Sequence, residues 1–349
     1  MRLAKSTLLA STLLTASAVA AQAEINVVAS IKPIHSLVAG VMEGVGEPGL
    51  IVQGAGSPHT YAMRPSEATM LQSAGVVFWV GQELEAFLEG ALESVAADAT
   101  IVELMDAHDL VKLEFREGGA FDAHDHGDDD EQAHDHGHDH DHDHDKETAE
   151  AGHDHDHEKE DMAEAGHDHD HGHGHDGADP HIWLDPMNAK ALVHEIRQAL
   201  VEADPANAAT YEANAGALEA RLDALIADVE TELAGLSGRG FIVFHDGYHY
   251  FENRFGLEAA GSITVSPEVM PGAERIAELR ETVRDAGAAC VFSEPQFEPQ
   301  LVSTVIEGTA AKSGVLDPLG AELEKGPDLY FELIRNMTTS FKDCLTPES

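Results

Sequence analysis

Nine apolar side chains, Tyr211, Ala215, Leu218, Leu222, Leu225, Ile226, Val229, Leu233 and Leu236, recur mostly at steps of three and four. That spacing puts them on one face of a single helix. Asp204-Pro205 ahead of them supplies an N-cap and a proline for the first turn. Ser237-Gly238-Arg239-Gly240 ends the run. A helix of about 30 residues is predicted, about 45 Å long at the ordinary rise per residue. A rod of that length with one buried face acts as a strut and separates what lies on its two sides.

Both sides alternate short apolar runs with helical patterns. Strands are predicted at 25–29, 50–52, 76–80 and 100–104, with helices at 35–43 and 83–95 between them. Beyond the strut, strands are predicted at 241–244, 259–265, 289–292 and 315–316, with helices at 272–286, 299–311 and 328–344. A further helix at 188–203 precedes the strut. Near-continuous apolar runs suit strands covered on both faces. Strand–helix alternation suits parallel sheets. The expected fold class is α/β, two lobes of four-stranded parallel sheet joined by one long rigid helix.

Between the lobes' elements lies a His/Asp tract at 117–179, with 24 acids and two Lys. It has no apolar periodicity and is read as a disordered insertion. The tract holds 16 of the chain's 23 His. His134, His136, His138, His140, His142, His144, His153, His155, His157, His167, His169 and His171 are its candidate auxiliary metal ligands, weak because flexible and solvated. The chain carries 65 acids against 20 Lys and Arg, a formal charge of −45. That balance excludes a nucleic-acid binder, which needs a basic footprint, and a polybasic membrane-surface protein.

The first 23 residues read as a signal peptide. Arg2 and Lys5 form the basic region, residues 8–20 the apolar core, and Ala21-Gln22-Ala23 the cleavage site. The apolar run is shorter than a spanning helix needs. Export to a bacterial periplasm is expected. The resulting layout is signal peptide 1–23, N-terminal lobe 24–187 including the tract, helical linker 188–237 and C-terminal lobe 238–349. In an oxidising compartment Cys290 and Cys344 are expected to pair.

Catalytic templates fail. Gly44-Val45-Gly46-Glu47-Pro48-Gly49 has the glycine spacing of a dinucleotide loop, but it follows a helix and precedes a strand, the reverse of the required context. There is no P-loop, no G-x-S-x-G and no H-E-x-x-H. His144 replaces the glycine that a calcium loop would need after Asp139, Asp141 and Asp143. What remains is a set of metal-competent residues at predicted strand ends or loops: His59, His181, His245 and Asp317. Open α/β sheets bind ligands outside the carboxyl ends of their strands, so two residues from each lobe would converge in the cleft. Neutral imidazoles select zinc over manganese or magnesium. Asp246 and Glu294 are the two candidates for a general base if such a site were hydrolytic. His35, His108, His194 and His249 read as capping, cleft-lining or surface residues, and Trp79 and Trp183 as core.

The motifs Ser30-Ile31-Lys32-Pro33, Pro58-His59-Thr60-Tyr61 with Arg64-Pro65-Ser66, and His181-Ile182-Trp183-Leu184 reach a known family. So do Phe244-His245-Asp246-Gly247-Tyr248, Pro271-Gly272-Ala273, Glu294-Pro295-Gln296-Phe297 and Leu316-Asp317-Pro318-Leu319-Gly320. With the acidic His tract, they resemble the zinc/manganese substrate-binding proteins of ABC importers over essentially the whole mature chain. The resemblance implies two Rossmann-like lobes and zinc on His59, His181 and His245 in the cleft. Its manganese branch has Glu in place of His245. Some zinc receptors carry a Glu before the first His ligand. Pro58 stands there here, which leaves Asp317 or water for the fourth position. Cys290 and Cys344 match a disulfide of the zinc branch. The implied partner is an inner-membrane zinc permease driven by an ATPase, with a periplasmic zinc chaperone as a further candidate and a monomeric receptor. The competing readings are a zinc-dependent hydrolase and a periplasmic zinc-buffering protein.

Overall fold

The computed structural model describes residues 25–116, 121, 177–264, 271–285, 287–297 and 300–347. The signal-peptide reading, the twelve auxiliary His and the disorder of the tract lie outside the described residues.

Two four-stranded parallel sheets form the frame. In the first, β1 (Val27–Ala29), β2 (Gly49–Leu50), β3 (Val76–Trp79) and β4 (Thr100–Glu103) lie in the order β2-β1-β3-β4. Helices α1 (Lys32–Val41), α2 (Pro65–Gln72) and α3 (Gln82–Ser94) connect them. In the second, β5 (Phe241–His245), β6 (Gly261–Thr264), β7 (Cys290–Ser293) and β8 (Lys312–Val315) lie in the order β6-β5-β7-β8. Helices α6 (His249–Phe255), α7 (Ala273–Asp285) and α8 (Gln300–Ile306) connect these. Helices α4 (Pro186–Ala203) and α5 (Ala208–Leu233) join the lobes, and α9 (Leu329–Leu345) closes the chain. Each sheet reverses its winding beside its first strand, between β1 and β3 and between β5 and β7. Crevices open at such points on the strands' carboxyl side.

The inner strands follow the predicted hydrophobic runs. Every residue of β1, β3 and β5 is buried. The edge strand β8 differs. Expected at 315–316, it runs instead over Lys312–Val315, where half-exposed and exposed residues alternate. An edge strand covered on one side has no continuous apolar run to reveal it. Gly314 sits there because a Cβ would lie 2.5 Å from the Phe292 ring.

The strut is α5, 26 residues and about 39 Å long. Its buried residues are eight of the nine predicted, Tyr211 through Leu233. Leu236, buried at 8% exposure, follows just past its end. Asp204 does not cap it directly. A short 3-10 turn at Pro205–Asn207 intervenes, and the Asp204 carboxylate accepts from Tyr211 Oη at 2.9 Å and Asn207 Nδ2 at 2.7 Å. One continuous core runs from β1 and α1 through α4 and α5 to α9 and β7. Burial of such side chains contributes roughly 1.5–3 kcal/mol each. The lobes therefore share a core along the strut.

Cys290 and Cys344 are joined, with Cα atoms 6.0 Å apart, tying α9 to β7. Lys32 Nζ, at the start of α1, donates across to the carbonyls of Gly320, Ala321 and Leu323 at 2.8, 2.7 and 3.1 Å. Burial lowers its pKa, opposed by the charge of Asp317. Arg254 of α6 grips Asp185, the N-cap of α4, through two contacts of 2.7 Å. Among the described residues no helix is long and apolar enough to cross a membrane.

Candidate metal centre

His59, His181 and His245 converge. Each offers a nitrogen, and the three nitrogens lie within 4.8 Å of one another. Their ring centroids are 5.0 to 5.9 Å apart. Three different local structures deliver them. His59 sits in the 3-10 turn Pro58–Thr60. Below it the buried Glu67 holds the loop, accepting from Tyr61 Oη at 2.7 Å and Arg64 N at 2.6 Å. His181 precedes the 3-10 turn Ile182–Leu184, whose Trp183 donates to the carbonyl of Pro318 at 2.8 Å. His245 is the last residue of β5.

Two buried carboxylates fix the tautomers. Asp179 Oδ1 lies 2.7 Å from His181 Nδ1 and accepts from its backbone N–H at 2.9 Å. Glu294 Oε1 lies 2.6 Å from His245 Nδ1. Ionised carboxylates only accept, so each Nδ1 carries a proton and each Nε2 is the nitrogen left to face a metal when the ring is neutral. The two Nε2 atoms face each other at 3.1 Å. At that distance the two nitrogens are joined either by a proton shared between the rings or by a metal ion. Two ligands of a tetrahedral zinc ion, each about 2.0–2.1 Å from the metal, stand about 3.3 Å apart.

The electrostatics keep His59 ready. Burial, then the two neighbouring imidazoles, hold its pKa well below the ordinary value, so it is neutral at pH 7. Burial also opposes the charged form of His245, but the Glu294 carboxylate outweighs it and raises the pKa. Burial pushes Asp179 up to about 6, with the His181 N–H holding it down in part.

The space beside the nitrogens is bounded by a glycine. A Cβ on Gly247 would lie 2.4 Å from His245 Nε2 and 3.0 Å from His181 Nε2. Any side chain at 247 would crowd both nitrogens. Donor set, tautomers and space fit zinc.

Asp317 is not brought to this group. Its Oδ1 accepts from Leu319 N at 3.1 Å, Gly320 N at 2.9 Å and Gln296 Nε2 at 3.1 Å, and its Oδ2 from Ala321 N at 2.6 Å. The loop after β8 consumes the carboxylate that sequence reasoning offered to the metal. His35 is buried, with Nε2 3.0 Å from the Pro48 carbonyl. His249 begins α6 and stands outside the three-imidazole group.

Asp179 was missed because it closes an acidic run. It lies at the ordered foot of the tract, where Asp179 N donates to Leu113 O at 2.8 Å and Phe115 N to Gly177 O at 3.0 Å. Residues 177–179, expected to belong to the tract, are thus paired with residues 113–115. The signal available was Asp-x-His, a carboxylate two residues before a ligand. The two candidate bases are engaged. Glu294 holds His245, and Asp246 is clamped by Arg116, which also reaches the buried Glu252 at 2.7 Å.

Comparisons with known proteins agree with this architecture. The sequence model of the family "ZnuA: Zinc-uptake complex component A periplasmic" matches residues 27–344. The "High-affinity zinc uptake system protein ZnuA" of Brucella suis is 56% identical over 320 residues, 92% of this chain and 91% of that protein. The protein of the same name from Paracoccus denitrificans is 40% identical, over 97% of this chain and 98% of its own. A crystal structure of ZnuA shares the fold, with a TM-score of 0.67 at 22% identity over 92% of this chain and 98% of that one. A motif-bearing three-imidazole cleft between two parallel sheets, with relatives spanning nearly its full length, places the chain in the ZnuA family.

Proposed function

We propose that the chain is a periplasmic receptor that captures one Zn2+ on His59, His181 and His245 and delivers it to the permease of an ABC importer. Zinc here is cargo. The observation that carries the reading is the convergence of three imidazole nitrogens within 4.8 Å, two of the rings held by carboxylates on their opposite nitrogens. A water fills the fourth position, since the loop holds Asp317 elsewhere. Hydrolysis would need a free general base near the metal. Asp246 is clamped by Arg116 and Glu294 is tied through Oε1 to His245 Nδ1; the near-full-length match to zinc-uptake receptors favours a receptor over a hydrolase.

Export through a cleaved signal peptide, a monomeric receptor and a tract that gathers zinc weakly complete the proposal. A periplasmic zinc chaperone is a further candidate partner. The test is zinc titration calorimetry with native mass spectrometry on the mature protein, with manganese as competitor. One tight zinc, ignored by manganese and lost in His59→Ala, is the expected result. Tight binding that survives His59→Ala would move the site to the tract and leave a zinc buffer as the better reading.

A further inference from the structure

Gln296 follows β7 in the Glu294-Pro295-Gln296-Phe297 motif and lines the same narrow pocket as the three imidazoles, Phe297 and Leu319. Its amide orientation is fixed by chemistry. The atom 3.1 Å from Asp317 Oδ1 must be the Nε2 donor, because a carboxylate offers only acceptors. Oε1 therefore points away from Asp317. It is buried and has no hydrogen-bond partner among the described residues. Buried acceptors are rarely left so. One in the wall of a three-imidazole pocket calls for a donor that arrives with the ligand.

We propose that Gln296 Oε1 serves the fourth position of the metal site, accepting a hydrogen bond from the water on a three-imidazole zinc ion. Asp317 acts one step behind, orienting the amide. The inference rests on the receptor reading above and assigns Asp317 a positioning role in place of ligation. An amide oxygen holds the water by a hydrogen bond and is itself no general base at neutral pH.

The test compares full-length wild type, Gln296→Met, Asp317→Asn and the double variant. His59→Ala serves as the blank for zinc held outside the cleft. Zinc affinity is read against a competing chelator, and the coordination sphere by the visible spectrum of the Co2+ form. Gln296→Met should weaken zinc by about 10-fold, the size expected for partners behind the ligands, and alter the Co2+ bands. Its metal-free melting temperature should hold or rise, because the orphaned acceptor is gone; a merely structural glutamine would lower it. Asp317→Asn should weaken zinc no more than Gln296→Met, and the double variant no more than either. Wild-type affinity and spectrum in Gln296→Met would overturn the inference. So would a larger loss in Asp317→Asn with a changed Co2+ spectrum, which would make Asp317 the ligand. Absence of any His59-dependent zinc in the wild type would overturn the receptor reading itself.

Discussion

Asp179 and Glu294 each occupy one imidazole Nδ1, and that single contact leaves Nε2 as the nitrogen that would meet a metal. Removing the charge while keeping the shape should loosen this control without abolishing the site. Asp179→Asn and Glu294→Gln should each weaken zinc by about 10- to 100-fold, by chelator competition, while still binding one ion. Gly247 is the complementary case. Its backbone asks for no special conformation, but its missing Cβ is the space beside both Nε2 atoms. Gly247→Ala should remain folded, by circular dichroism, and lose cleft zinc. At this scale the sequence was legible where a residue type has one obvious chemistry, as for the three His. It was not legible for Asp317, whose loop uses its carboxylate on three backbone N–H groups and the Gln296 amide. Nor was it for Asp179, hidden at the end of an acidic run.

Among the elements, α3 carries a titratable device of its own. Glu85 interrupts its helical backbone and is fully buried, with Oε2 accepting from Val80 N at 2.8 Å and Gly81 N at 3.1 Å. Burial raises its pKa to about 7, opposed by those N–H groups. An acid with a raised folded pKa binds its proton more tightly in the native state. The protein accordingly loses stability as pH rises from about 4.5 to about 7. Denaturant melts of Glu85→Gln against wild type should show that this part of the pH dependence is flattened in the variant. An unchanged pH profile would contradict the assignment. The elements themselves were mostly legible. The central strands announce themselves as apolar runs and α5 by its seam, whereas β8 pairs at an edge where Lys312 and Ser313 face outward or sideways. Its position is set by pairing with β7, a long-range contact that no local pattern carries.

In the whole molecule, the cleft is spanned by ties that a wide hinge would have to break. Lys32 reaches three carbonyls of the opposite lobe, Arg254 grips Asp185, and Trp183 donates to Pro318. The shared core along α5 adds apolar burial to these polar contacts. Zinc release is therefore expected through local movement near His181 or His245, with the lobes nearly fixed. Small-angle scattering of the metal-free and zinc-loaded protein should give superimposable curves, and a rotation of tens of degrees between the lobes would contradict this. The two-lobe plan was legible because the strut divides the sequence. The ties were not, because Lys32 and its carbonyl partners stand nearly 290 residues apart. Whether one zinc ion sits on three imidazoles in the cleft is read by zinc K-edge X-ray absorption on protein loaded with one equivalent. The expected spectrum is that of four-coordinate zinc with three imidazole nitrogens and one oxygen at about 2.0 Å, with the imidazole scattering reduced in His59→Ala. A six-coordinate oxygen shell, or a spectrum unchanged by His59→Ala, would contradict it.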